Sequence, residues 1–481
     1  MQRKFLSSLF LLMLLNFLVK PFWILGIDRS IQNAVGAENY GIYYALFNLS
    51  FLLDILLDMG ITNYNNRDIA RNHQLIGKNL MGISYMKLGF ALVYLILSFG
   101  LAYVLGYRGP FLLLLLVLAL NKILLSGILF LRSNISGLQL FKTDGVLSVL
   151  DRSIMIIICS VLLWGNVVRR EFQVEWLAYA QTVAYLITLI ITAIIVIQKT
   201  SVLHWKPEWV ELKDILRQSM PYALIILFMS IYYRVDAVML ERMLQNGDYH
   251  AGIYAQGYRI LDALNMVGYL FVGILFPLFS KLLAQDGYYQ NILRISTRLL
   301  LSFAVIMAAS SFLWGDRIMD LLYTQTDQSS GSTFSILILC FIPVSFVNIY
   351  GTLLTANGNL RDYNIIAFIG ILINVGLNLW FIPQFEAFGS ALASLLTNII
   401  VAALIFIALV RRLDLEADAL TGLKIIGVGV GCVLLSYVVY MKTGMSWQQI
   451  WLFSIFVGVL IVFMFRLVSL SSIKEFISFK E

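Results

Sequence analysis

The sequence predicts an all-α integral membrane protein of about fourteen transmembrane helices, arranged as two parallel-repeat six-helix bundles followed by two further helices. Three observations lead there. The chain has 481 residues, of which 60% are hydrophobic and only 13% charged, about half the charge of a soluble domain. Its apolar residues fall in runs of the roughly twenty needed to cross a bilayer as helix. One phrase also occurs twice: Asp28-Arg29-Ser30-Ile31-Gln32-Asn33 followed by Gly41-Ile42-Tyr43, and Glu241-Arg242-Met243-Leu244-Gln245-Asn246 followed by Gly252-Ile253-Tyr254. A duplicated unit of this length in an apolar chain points to two similar halves.

The first span, 5–27, follows Arg3 and Lys4 as a signal peptide would, but no small-residue cleavage site ends a short apolar core, so it is expected to be retained. Spans 40–61, 80–105, 110–131, 144–165 and 176–197 complete the first copy. A β-barrel is excluded, because runs such as Phe111 to Leu120 do not alternate apolar and polar residues. The connection that follows, 199–218, sets Trp205, Trp209, Leu212, Ile215 and Leu216 against Lys206, Glu208, Lys213, Asp214 and Arg217. One Trp-bearing apolar face and one charged face suit an amphipathic helix lying in the headgroup region; an ordinary linker is the alternative.

Spans 219–240, 251–279, 292–314, 334–356, 363–382 and 387–409 form the second copy, and 421–441 and 447–468 stand outside the duplication. The expected organisation is a first bundle over 1–198, the linker 199–218, a second bundle over 219–410, and two extra helices with a tail over 411–481. Six spans separate the repeated phrases, an even number, so the copies run parallel and are related by an axis along the membrane normal. Lys and Arg concentrate at the span ends that share a side with both termini, which makes the termini cytoplasmic. The net charge of +7 thus reports topology; dispersed along loops, it does not suggest nucleic acid. Cys159, Cys340 and Cys432 fall in different spans, so neither a metal cluster nor a disulfide framework is indicated.

Charges inside spans carry the functional signal, since each costs about 2.5–3.5 kcal/mol at a span centre and normally faces protein or a wet cavity. The cations are Lys20, Lys87, Lys122, Arg152, Arg234 and Arg259, and the acids Asp54, Asp58, Asp151, Asp236 and Asp262. Asp28, Arg29, Glu241 and Arg242 lie at span ends and are expected to snorkel to the interface. Lys20 and Arg234 occupy nearly equivalent places in the repeat; with Arg259, Lys122 and Arg152 they form a ladder of positive charge through the membrane. Lys20 precedes Pro21, which removes a backbone donor and kinks a helix. Each cation has an ion pair as its alternative role, most directly Arg259 with Asp262 at i,i+3. Asp54 and Asp58, one turn apart in span 40–61, are a candidate proton-coupling pair because repulsion between close carboxylates raises one pKa, and Asp236 is a further coupling candidate. Alternatively each neutralises a cation such as Lys87 or Arg152.

Other chemistry is not signalled. His73, His204 and His250 lie in loops, against an intramembrane acyltransferase with a His base. No Walker-type phosphate loop is present, and no large outer loop offers the residues of a polymerase. No cofactor and no metal is expected, and the chain reads as a transporter rather than an enzyme.

Taken in order, Gly36-Ala37-Glu38-Asn39-Tyr40-Gly41-Ile42-Tyr43, Asp58-Met59-Gly60-Ile61, Ser219-Met220-Pro221, Tyr233-Arg234-Val235-Asp236, Gly252-Ile253-Tyr254 with Tyr258-Arg259, and Asn374-Val375-Gly376-Leu377-Asn378 with Ile382-Pro383 resemble the polysaccharide transporters, including O-antigen flippases, of the multidrug/oligosaccharidyl-lipid/polysaccharide (MOP) exporter superfamily. The resemblance implies a MATE-like fold of two bundles around a cationic lumen. It also implies translocation of an undecaprenyl-pyrophosphate-linked oligosaccharide to the outer leaflet of the bacterial cytoplasmic membrane. Polysaccharide polymerase or chain-length proteins are then candidate partners. The family's Arg/Asp pair maps onto Arg234 and Asp236, and its other basic lumen residues onto Lys20, Lys122 and Arg259. Glu386-Ala387-Phe388-Gly389-Ser390-Ala391 departs from the family's Gly-rich turn. Two further functions stay open on the same residues: a multidrug or cation antiporter, whose lumen would be dominated by acids, and a non-transporting scaffold for glycan assembly.

Overall fold

The computed structural model describes residues 15–16, 18–71, 73–165, 171–200, 209–284, 289–413, 415 and 418–468. Both termini, most of the first expected span and residues 201–208 of the expected amphipathic connection lie outside these. The described chain is almost wholly helical. Eleven of its helices are long and apolar enough to cross a membrane, and the fold class is the one expected.

The expected count of fourteen is not reproduced one for one, and three places account for the difference. Span 5–27 is largely outside the described residues. Span 40–61 is broken: α1 runs Arg29–Leu52, a single tight turn follows over Asp54–Leu57, and α2 starts at Ile61. Spans 363–382 and 387–409 lie in one helical element, which bends sharply at Glu386 (φ 52°, ψ −130°).

In the first compact unit, residues 1–252, α1 and α2 are followed by α3 (Ile76–Val104), α4 (Pro110–Gly137), α5 (Phe141–Trp164), α6 (Val174–Lys199) and α7 (Trp209–Met243). Proline opens α4 at the position where its missing N–H leaves no bond unmade. The strongest packing is α4 on α6, α1 on α7 and α2 on α4, around a core that includes Ile61, Ile83, Phe130, Ile135 and Leu147. Ahead of α1, Trp23–Asp28 is wound as π-helix, a wider turn that commonly accompanies function. It begins two residues after Pro21.

The acids of the duplicated phrases are not interfacial anchors. Asp28 is 1% exposed and accepts a hydrogen bond from Tyr40 Oη at 2.9 Å. Glu241 is likewise buried, bonded by Tyr107 Oη at 2.6 Å and by Arg242. Snorkelling fails for these acids because each has a tyrosine partner inside the protein, which removes the cost that would drive it outward. The glycines of the two phrases also meet: a β-carbon on Gly41 would collide with the Asp248 carbonyl and the Gly252 amide, and one on Gly252 with the Ala37 carbonyl. Two backbones cross here at a separation only glycine permits.

The second unit, residues 253–481, holds most of α8 (Gly247–Ala284), then α9 (Tyr289–Phe312), the short α10 (Gly315–Leu322), α11 (Gln328–Leu339), α12 (Phe341–Ala356), α13 (Leu360–Leu413), α14 (Ala419–Lys442) and α15 (Trp447–Met464). At 1.5 Å per residue a straight α13 would be about 81 Å long, more than twice the hydrocarbon thickness. Its bend at Glu386, with Pro383 just before it, separates the two expected crossings. Gly389 lies against the Phe381 carbonyl, where no side chain fits. Asp327 caps α11 and Ser446 caps α15, each in a reciprocal capping box. The last two helices dock on α9 through Val305, Ile306, Val428, Cys432 and Val462.

Candidate functional site

The site is built on the break in the second span. Leaving the helix after Leu52 frees backbone carbonyls, and a carbonyl without a donor inside a bilayer costs several kcal/mol. Side chains from three helices supply the donors. Tyr94 Oη donates to the Ser50 carbonyl at 2.7 Å and Ser230 Oγ to that of Phe51 at 2.9 Å. The Leu57 carbonyl accepts from both Lys87 Nζ and Ser126 Oγ, each at 2.9 Å. The turn back into α2 needs positive φ at Met59 (49°) and Gly60 (80°). These contacts hold open a non-helical stretch that presents Asp54 and Asp58 separately.

Asp54 faces Lys122. The Lys122 ammonium lies 3.9 Å from Asp54 Oδ2, makes no hydrogen bond to any described residue, and sits over the Phe51 ring, with Phe47 5.2 Å away. Arg234 of α7 approaches the same ring, its Cζ 4.9 Å from the centroid, and donates to Asn48 Oδ1 at 3.3 Å. Aromatic faces are favourable seats for cations removed from water. Arg152 of α5 donates to Tyr185 Oη at 3.3 Å, lies 3.5 Å from Asp151, and reaches towards Trp23.

Lys122 and Arg152 line one small cavity of about 20 Å³ with Phe47, Phe51, Gln181 and Tyr185, room for about one water. No carboxylate is among the described residues that line it. Its polar wall is braced from behind: Gln181 Nε2 donates to Tyr185 Oη at 2.9 Å, Asn121 Nδ2 to the Ala178 carbonyl at 3.0 Å, and Thr182 Oγ1 to Asn121 Oδ1 at 2.7 Å.

Asp54, Lys122, Arg152 and Arg234 are thus brought to one region. Lys20 is half-buried, within electrostatic range of Arg152 and Asp151. Asp58 is drawn away from Asp54 and pairs with Lys87 at 2.9 Å: the broken helix does not stack the two acids on one turn, so each meets its own cation. Asp236 is buried in α7 at 1% exposure. Arg259 belongs to the second unit and lies 3.8 Å from Asp262, the i,i+3 pair that its spacing suggests. Asn48, Asn121, Gln181, Tyr185, Tyr94, Ser126 and Ser230 escape a search for intramembrane charge because they carry none. The available signal is polarity on helix faces otherwise made of Leu, Ile and Phe.

Comparison with known proteins follows the same line. The family described as polysaccharide biosynthesis protein matches residues 5–283, and the lipid II flippase MurJ family matches residues 149–468. The chain belongs to these two families. As a member it is a multi-pass membrane transporter and not an enzyme. The solved structure of lipid II flippase MurJ in its inward closed conformation is similar at a TM-score of 0.70 and 15% identity, covering 96% of this chain and 97% of that one. An outward-facing multidrug resistance MATE transporter follows at 0.60 and 15%, with 86% and 96% covered. A MOP superfamily transporter from Pyrococcus furiosus, whose binding pocket is described as reversed in polarity, matches at 0.55 and 16%, with 86% and 94% covered. No curated protein sequence matches the chain. These likenesses establish the MOP fold for the family member described here.

Proposed function

We propose that this transporter flips an undecaprenyl-pyrophosphate-linked oligosaccharide, an O-antigen or other surface-polysaccharide repeat unit, from the inner to the outer leaflet of the bacterial cytoplasmic membrane by alternating access, with both termini cytoplasmic. The observation that carries this reading is the cavity lined by Lys122 and Arg152, with no carboxylate among its described lining residues. A pyrophosphate needs positive charge and hydrogen-bond donors inside the membrane. Lys122 Nζ is buried without a hydrogen-bond acceptor among the described residues, and an ammonium has three N–H groups to give. Phosphate oxygens would complete it with charge-assisted bonds.

Arg152 and Arg234 serve the same anion in this reading, with Lys20 flanking them. Membership beside a lipid II flippase family supports a substrate carried on a polyprenyl pyrophosphate. Cation antiport is less well supported, because a cationic drug would meet Lys122 and Arg152 first. The test is glycan display in cells carrying Lys122→Ala, Arg234→Ala or both. Each variant is expected to reach the membrane folded and to stop display while lipid-linked intermediate accumulates on the inner leaflet. Normal display by the double variant would refute the cationic-lumen reading.

A further inference from the structure

Lys87 lies outside the cavity just described, and its surroundings have a different design. Its ammonium gives one bond each to the Leu57 carbonyl at 2.9 Å, Asp58 Oδ1 at 2.9 Å and Ser126 Oγ at 2.7 Å. All three N–H groups of the ammonium are used. The Phe130 ring stands on a further side, 5.9 Å from Nζ, and the lysine side chain is 10% exposed. A freed carbonyl, a carboxylate and a hydroxyl gathered where a membrane helix unwinds are the donor set with which transporters hold a small coupling cation. The oxygens do not depend on the lysine for their positions. Leu57 O also accepts from Ser126 Oγ, Asp58 also accepts from the Thr62 hydroxyl in the first turn of α2, and Ser126 is fixed on α4.

We propose that the break in the second span is a seat for one small monovalent cation, and that the ammonium of Lys87 is the cation that fills it. The protein carries this charge with it: with Lys87 in place the seat requires no sodium or potassium. Removing the ammonium while leaving the space leaves a carboxylate and a carbonyl facing each other in a medium where neither is solvated well. A free cation of ammonium size then enters. The inference concerns ion occupancy and is independent of the substrate proposed above.

The test uses the purified full-length protein and reads its melting temperature in choline, sodium, potassium and ammonium chloride at one ionic strength. Choline is the control, being too large for a space that holds one ammonium. The wild type is expected to melt at the same temperature in all four salts. Lys87→Ala is expected to melt several degrees lower in choline and to regain most of the loss in ammonium or potassium, with a saturable dose dependence. A Lys87→Ala protein indifferent to the cation, or a wild type that gains as much from ammonium as the variant does, overturns the proposal. If Lys87→Ala does not fold in any of the salts, Lys87→Ala with Asp58→Asn decides. That double variant lacks the carboxylate that creates the need for a cation, and is expected to fold and to melt alike in all four salts. A double variant that still fails to fold, or that responds to ammonium, shows that the stem of the lysine rather than its charge holds the region, and also overturns the proposal.

Discussion

The ammonium of Lys122 stands 3.9 Å from Oδ2 of Asp54, beyond hydrogen-bond range, and rests on the ring of Phe51 instead. The two charges balance each other without being locked together. A lysine held by a short bidentate contact would have to break it to meet a substrate; this one has donors that no described residue takes up while its charge is still partly compensated.

A double-mutant cycle reads that coupling. Lys122→Met leaves Asp54 with Arg234 as its remaining nearby cation and is expected to lower the melting temperature, and adding Asp54→Asn is expected to restore most of the loss. The Asp54 side chain is 29% exposed, so the coupling should fall at about 1–2 kcal/mol, below the 3–5 kcal/mol lost on breaking a fully buried pair. Strict additivity of the two single changes in thermal melts would show that the charges do not interact.

Glu386 bends α13 with φ at 52° and ψ at −130°, a region where a β-carbon is strained by about 1–3 kcal/mol. Glycine enters it freely but loses more freedom on folding. Glu386→Gly is therefore expected to stabilise the protein by about 1 kcal/mol, seen as a higher melting temperature, whereas Glu386→Val should lower it. The departure from the Gly-rich turn of the family is then a local strain and not a change of fold.

Gly41 and Gly252 let two backbones pass at contact distance. Gly41→Ala or Gly252→Ala forces them apart, and overpacking of this kind costs about 1–3 kcal/mol or more where backbone blocks relief. Either change is expected to lower the melting temperature and the yield of folded protein. An alanine at Gly89, where a β-carbon would meet nothing within 4 Å, is the matched control and should leave both unchanged.

Two carboxylates outside the membrane spans set an acid limit. The carboxyl of Asp418 is held below its ordinary value of 3.8 by the hydrogen bond from the Thr421 hydroxyl, with further help from Arg298. For Asp327, partial burial pushes upward but is outweighed by hydrogen bonds from Ser329 and Ser330, so it too lies below 3.8. As pH falls, the unfolded chain takes up these protons first. The stability the two groups contribute is complete above about pH 4 and is lost as pH drops through their folded values. Thermal melts at stepped pH should show this acid limb shallower for Asp418→Asn and Asp327→Asn than for the parent protein; parallel limbs would contradict the assignment.

Much of this was legible in the residues. The apolar runs announce a helical membrane protein, and the energetic penalty on intramembrane charge singles out Asp54, Lys122, Arg152 and Arg234, which the fold gathers into one region. Hydropathy measures how long a segment stays apolar and is blind to φ and ψ. It therefore reads 40–61 as one helix although the chain unwinds at Leu53, and separates 363–382 from 387–409 although one bent element contains both. Partners are hidden for a related reason. Lys122 has no acid in its own span, and its counter-charge arrives from another helix only because the break turns Asp54 towards it. The neutral donors Tyr94, Ser126 and Ser230 carry no sequence penalty to mark them, and their role exists only once there are carbonyls to satisfy.

The break at Leu53 also orders the making of the protein. Its carbonyls are completed by Tyr94, Lys87, Ser126 and Ser230, and the last of these lies 179 residues after the carbonyl it serves. Domains fold as the ribosome delivers them, so the second span reaches the bilayer long before its final donor has been translated. Until then the Phe51 carbonyl has the Leu53 amide as its donor and lacks the Ser230 hydroxyl. Biogenesis of the first unit is finished only by the helix that opens the second copy of the repeat.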